Sequence, residues 1–576
     1  MRAQAAKLLG ENHVTAAADV LVRALRDAAP RVRFFAAQSL GKIGQREGAA
    51  PLLALLREND NKDNYIRHAA VMGLVGCKNF PALARGAKSD SAAERLGVLL
   101  AWRRLDRGEI AAFLADPDPF IVREAALAIN DAPVNAALPA LAGMISAPIA
   151  DGAVLIRAIN ANFRLGRPEN AAALATFAAD PARAADLRAE ALAQLALWSA
   201  PPARDRIVGI YRPLTERSRD RSTAATAVAQ VLPKLLAASA GEEVELASIA
   251  AVASLKPDLA ADNLVAVVRD ETQLGKVRAA ALNVLDQLKD PRLTELVAVA
   301  GASTAPVLRL TALPVAARLS PDAAAPLLER LVAGGNVDEQ KAAFRILGTI
   351  QHPSADPLLA SRLDELAAGR IKPAVELELL EAAAKRTDPA VKKRLAERDA
   401  RLTASGDKRA GFRMALEGGD PARGRKIFNT QPIMACVRCH NPGTGGGDAG
   451  PHLAGVAARH PREYFLESVV RPNAAIAPGF DTVAVTRKSG AVVAGIVDGE
   501  NAESVHLRDL DGKVTVVPKA EIQKREGVPS SMPEIYATIL TKAELRDVVE
   551  YLASLTTVSD EVRVAETPRA LRHLDE

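Results

Sequence analysis

The sequence predicts a mainly α-helical chain in two parts: a solenoid of short helix pairs over residues 1–405, then a small helical domain over 410–556 split by an inserted antiparallel sheet or barrel. Three observations predict it. One phrase returns about every 30 residues through the first two-thirds of the chain. A Cys-Val-Arg-Cys-His run at 436–440 opens a different unit. Residues 480–522 alternate apolar and polar between turn dipeptides.

The repeats come first. "RAQAAKLLG" at Arg2 returns as "VRFFAAQSLGKIG" at Arg33, "IRHAAVMGLVG" at Arg67, "VREAALAI" at Arg123, "LRAEALAQLA" at Arg188, "VRAAALNVL" at Arg278 and "LRLTALPVA" at Arg309. Weaker copies fall at Arg95 and Arg157, and the period loosens over 213–262 and 350–400. About 30 residues is two short helices and their turns, and such pairs bury a continuous core only by stacking. Composition agrees: 49% of residues are hydrophobic but only 3% aromatic, so helices pack through Ala, Leu and Val. Asp60, Asp90, Asp116, Asp118, Asp180, Asp270 and Asp290 precede copies and are expected to cap helices. The recurring Arg is expected at a helix end, bonding carbonyls or Asp in the adjacent turn. The pattern resembles HEAT repeats in their short bacterial form. That resemblance implies a scaffold, with a protein partner on its concave face.

The start, "MRAQAAKLLGENH", enters a repeat already under way and has no apolar stretch of signal-peptide type. The chain is therefore expected to be the C-terminal part of a longer protein. No run of about 18 apolar residues occurs, so no membrane-spanning helix is expected. A net charge of +5 without a dense basic tract does not suggest nucleic-acid binding. Three cysteines make no disulfide framework, and Cys77, in "MGLVGCKNF", reads as a buried thiol.

"DPARGRKIFNT" (420–430) opens the second part, with Asp420 as N-cap and Pro421 as first helical residue. Cys436, Cys439 and His440 come next. Cys-X-X-Cys-His is the attachment signature of c-type haem. Two thiols three positions apart reach both vinyl groups, and the next residue sits under the iron. A structural zinc site would need two further ligands, for which His452 and His460 are the candidates. A thioredoxin-type dithiol would want a βαβ setting, which the sequence lacks.

The stretch after His440 resembles a class I cytochrome c domain, on "GGGDAGPHLAGVAAR" (445–459) and on "SSMP" ahead of the last helix. The resemblance implies that the Pro451 carbonyl accepts the His440 N–H, that Leu453 packs on the porphyrin, and that Met532 is the second axial ligand. It offers Arg459 as a propionate partner, with a solvated Arg as the alternative. Met434 stands too near Cys436 to swing across, and His452, His460 and His506 are rivals to Met532. A core methionine is the plain alternative for Met532. Thr541 and Glu544 read as a capping box, with Leu545, Val548, Val549 and Leu552 on one helix face.

About ninety residues from Cys436 to Met532 exceed a minimal cytochrome, and 480–522 fill the surplus with β-rich runs turned at Ser489-Gly490 and Asp511-Gly512. The combination resembles the haem-binding domain first noted in planctomycetes and verrucomicrobia, often fused behind HEAT-like repeats. A charged tail is expected over 557–576. The expected cofactor is one haem c per chain, and the expected function one-electron transfer with a redox partner protein. The chain is read as an electron carrier rather than an enzyme. One alternative is the electron-accepting part of a larger periplasmic sugar or alcohol dehydrogenase. Another is an interaction scaffold with secondary haem. Haem attachment through thioethers implies the periplasm or cell surface.

Overall fold

A computed structural model describes residues 1–215, 218–256, 260–431, 433, 435–509 and 512–557. The chain forms two compact units, Met1–Ala300 and Gly301–Glu576, the second described to residue 557.

In the first unit each repeated phrase is one helix: Pro30–Ile43, Asn64–Cys77, Ala92–Arg104, Pro119–Asp131, Gly152–Leu165, Ala185–Ala196 and Gly275–Leu288. Shorter helices lie between them, such as Ala49–Asn59 and Phe80–Gly86. Successive phrase helices pack side by side on Ala36, Leu40, Ala69, Leu74, Val98 and Ala125, all buried. Small residues let them come close: a Cβ on Gly76 would strike the backbone of Gly41 in the preceding copy.

The recurring arginines sit in the first turns of their own helices and reach into adjacent turns. Arg95 forks onto Asp116 at 2.8 and 3.0 Å and also bonds the Ser89 carbonyl. Arg188 donates to Ala178 O at 2.7 Å and Arg278 to Val268 O at 2.9 Å, each the end of the helix before. The free carbonyls of a helix C-terminus attract a cation, so the ladder joins helix ends.

The capping aspartates differ in part from expectation. Asp118 caps its helix through Phe120 N. Asp180, Asp270 and Asp290 instead accept from the N–H two residues on, within the turn itself, because a short carboxylate closes an Asx turn as readily as a cap. Asp60 is a left-handed residue ending Ala49–Asn59, and the cap of the next helix is Asp63. The loosened period near 213 also has a cause. Between 197 and 220 the described residues hold no helix, and buried Asp205 ties this segment down through Asn160 and Arg164. Cys77 is buried, which pushes its thiol up to about 12.

The second unit begins with further helix pairs, Pro306–Leu319 to Pro389–Ala404. Its C-terminal part has three main helices, Pro421–Thr430, Arg462–Val470 and Lys542–Ser554. Asp420 caps the first from N-cap with Pro421 inside it. Thr541 and Glu544 form the reciprocal box on the last. First and last cross at Gly424, where a Cβ would collide with the Asp547 carbonyl. Phe428, Leu466, Leu545, Val548, Val549 and Tyr551 fill the core.

Among the described residues, five strands lie between Arg462–Val470 and the last helix: β1 (Thr482–Arg487), β2 (Val492–Glu500), β3 (Ser504–Arg508), β4 (Val514–Pro518) and β5 (Ile522–Gly527). They form one antiparallel sheet in the order β4-β3-β2-β1-β5. The sheet is open, with β4 and β5 as edges, and β5 carries it past residue 522. Val483, Val485, Val505, Leu507 and Val517 make its own small core. Of the expected turns, Asp511 lies outside the described residues, as do Met434 and the segment 558–576.

Candidate functional site

The helix Pro421–Thr430 ends six residues before Cys436, and Cys436–Arg438 form one 3-10 turn that presents both cysteines. The His440 N–H donates to Cys436 O at 2.9 Å, closing the turn. The next loop folds back on it. Gly447 N donates to Val437 O at 2.8 Å and Gly450 N to Cys439 O at 2.7 Å. A Cβ on Gly450 would run into the His440 ring, so the backbone lies flat against the imidazole.

That loop delivers the Pro451 carbonyl 2.9 Å from His440 Nδ1. A carbonyl can only accept, so Nδ1 carries the proton and Nε2 keeps a lone pair. Burial pushes the His440 pKa down, and the Pro451 bond offsets this in part. The ring is thus held neutral. Burial also pushes the Cys436 thiol up to about 11, and raises Cys439.

These groups open onto a cleft of about 1160 Å³, counting its mouth. Cys436, Cys439, His440, Pro451, Leu453 and Met532 all line it. Met532 comes from the loop before the last helix, where its N–H donates to Ser530 Oγ at 3.2 Å. The rest of the lining is apolar or hydroxyl-bearing, including Phe480, Ile476, Tyr464, Ser468 and Tyr536, and among the described residues no Asp, Glu, Lys or Arg lines it. Burial, then the neighbouring cysteines, pushes the Tyr536 phenol up to about 12.

Arg459 is outside this lining; its guanidinium lies 3.4 Å from Ala454 O. The three rival histidines are outside it too. His460 stacks on Tyr464 at 3.9 Å between ring centroids, and His506 bonds Ser504 Oγ. Among the described residues no group of three or more His, Cys, Asp or Glu gathers around one point, so His452 and His460 do not complete a zinc set with the cysteine pair. Tyr536, Phe480, Ile476 and Ile496 also line the cleft and were not expected there, because apolar spacing marks a buried side chain without saying which cavity it faces.

The donor set suits a porphyrin iron. It has two thiols on one turn, one imidazole with an oriented free nitrogen and one thioether, around a mainly apolar space.

Two family models match parts of the chain. Residues 1–106 match the family described as HEAT repeats, and residues 421–505 match the family described as Cytochrome c. No curated protein matches the chain. Among solved structures it is similar to the crystal structure of Kap121p bound to Pho4p, at 14% identity over 71% of this chain and 53% of that one, with a TM-score of 0.34. It is also similar to a crystal structure of an engineered protein, at 15% identity over 66% of this chain and 96% of that one, with a TM-score of 0.25. The chain spans about half the length of the first of these. It therefore joins HEAT repeats to a cytochrome c domain. The domain supports haem-based electron transfer, and the repeats a scaffold.

Proposed function

We propose that this domain carries a single haem c, tethered by Cys436 and Cys439, with His440 and Met532 as axial ligands, and passes one electron at a time between partner proteins. The observation that carries the reading is that all four side chains line one cleft in which, among the described residues, no Asp, Glu, Lys or Arg stands, with His440 already held by Pro451. A haem held by these residues would supply a one-electron iron couple, at a higher potential with Met532 than with a second His.

The chain's own residues do the rest. Pro451 fixes the tautomer and orientation of His440 and raises its basicity as a ligand. Leu453, Phe480 and Ile476 exclude water. Ser530 holds the backbone of Met532. One haem per chain follows from the single Cys-X-X-Cys-His run, since Cys77 is buried in another unit. The helical repeats then display the domain to its partners. Thioether attachment takes place outside the bacterial cytoplasmic membrane, which puts the protein in the periplasm or at the cell surface.

The test is the protein matured with a haem-attachment system. The intact mass should rise by one haem and the reduced spectrum should show thioether-bound haem. A polypeptide of unmodified mass, with no such spectrum, would sink the reading.

A further inference from the structure

The strands between the two ligand-bearing loops reach both of them. Arg508, in β3, is 4% exposed. Its guanidinium is 3.0 Å from Asp448 O, 2.8 Å from Asp448 Oδ2 and 3.0 Å from Asp498 Oδ1 in β2. Asp448 stands in the very loop that folds onto Cys439 and delivers the Pro451 carbonyl to His440.

At the other side, Thr482 begins β1. Its hydroxyl is 3.1 Å from Ser531 Oγ, and its carbonyl accepts from Val528 N at 3.0 Å. Ser531 directly precedes Met532. Between Thr482 and Arg508 stands Ile496, which faces both in register and lines the cleft. Thr482, Ile496 and Arg508 are therefore one row across three hydrogen-bonded strands. One end of the row grips the His440 loop and the other the Met532 loop.

A buried guanidinium is costly unless it is paired, and apolar residues would close a sheet face at less cost. An Arg ion-paired to Asp498 of its own sheet and hydrogen-bonded to Asp448 O of a neighbouring loop serves a different end, because it fixes geometry. We propose that the inserted sheet is a brace between the two axial loops, with Arg508 and Thr482 as positioning residues that keep Met532 in place on the iron. This rests on the His440/Met532 ligation proposed above.

Imidazole competes with a methionine for ferric haem, so its affinity for the haem-loaded full chain reads how firmly Met532 is held. Met532→Ala sets the scale. Arg508→Gln should bind imidazole about tenfold more tightly than wild type, and Thr482→Val, which swaps one hydroxyl for a methyl, about threefold. Arg508→Lys keeps the charge but not the fork and should fall between wild type and Arg508→Gln. The midpoint potential of Arg508→Gln should drop in parallel. If Met532→Ala gains affinity while Arg508→Gln and Thr482→Val bind imidazole like wild type, the brace is wrong and the ligand reading stands. If Met532→Ala gains nothing, the ligand reading is wrong and takes the brace with it. Should Arg508→Gln not retain haem, Thr482→Val decides.

Discussion

The imidazole of His440 is oriented by a carbonyl eleven positions along the chain, and the same short loop closes onto Val437 and Cys439 through Gly447 and Gly450. Single substitutions here should act on the cofactor before they act on stability. Cys436→Ala leaves one thioether, so the reduced α band should move to the red of wild type while the haem stays attached through Cys439. Gly450→Ala should be more damaging than its size suggests. The added methyl meets the His440 ring, and we expect haem incorporation to fall steeply, measured as the ratio of Soret to protein absorbance. The cysteine spacing and the adjacent histidine were legible at once, since chemistry sets that spacing. Tyr536 and Phe480 were not, because an aromatic residue carries no mark of which cavity it faces.

Elements meet through small residues and paired charges. The first and last helices of the C-terminal domain touch at Gly424. Gly424→Ala should destabilise this domain by about 1–3 kcal/mol through overpacking, read as a lower midpoint in urea. Beside it, Arg462 clamps Glu550 at 2.6 and 2.8 Å. The Arg462 hydrogen bond holds the Glu550 pKa below its usual value. A carboxylate lowered in the folded state stabilises that state fully above its unfolded pKa of about 4.3, and the contribution disappears as pH falls through the folded value. The acid side of the unfolding profile should therefore flatten in Glu550→Gln. In the solenoid, Arg95 and Asp116 are 10% and 3% exposed as side chains. Arg95→Ala strands a buried carboxylate and should cost about 3 kcal/mol, measured by denaturant unfolding of the full chain. The Arg ladder was visible as a repeated letter, and carbonyls or turn aspartates were expected as its partners; that these are Ala178, Val268 and Asp116 came only with the fold.

At the scale of the whole molecule, the last helix pairs belong to the same compact unit as the cytochrome c domain. Arg546 of the last helix forks onto Glu378 of Pro373–Ala384 at 2.9 Å twice, with both side chains under 5% exposed. Lys341 donates to the Gly418 carbonyl at the same junction. Burial, the largest single effect, pushes Glu378 up, but the hydrogen bonds and charge of Arg546 together with Lys341 outweigh it and hold its pKa down. Removing one partner of a buried pair costs about 3–5 kcal/mol. Glu378→Ala should therefore loosen the junction and expose it to proteolysis, while Glu378→Met with Arg546→Met should recover much of the loss. The sequence by itself determined the helical period, the alternating strands and the cysteine–histidine signature. Each of these is a local pattern set by the pitch of a helix, the pleat of a strand or the reach of two thiols. Only the tertiary structure decided that the last repeats and the C-terminal domain form one unit, that Arg459 stays off the cleft, and that one row of the inserted sheet touches both loops. Those depend on which distant segments meet, and no periodicity encodes the partner of a buried charge such as Glu378 or Arg508.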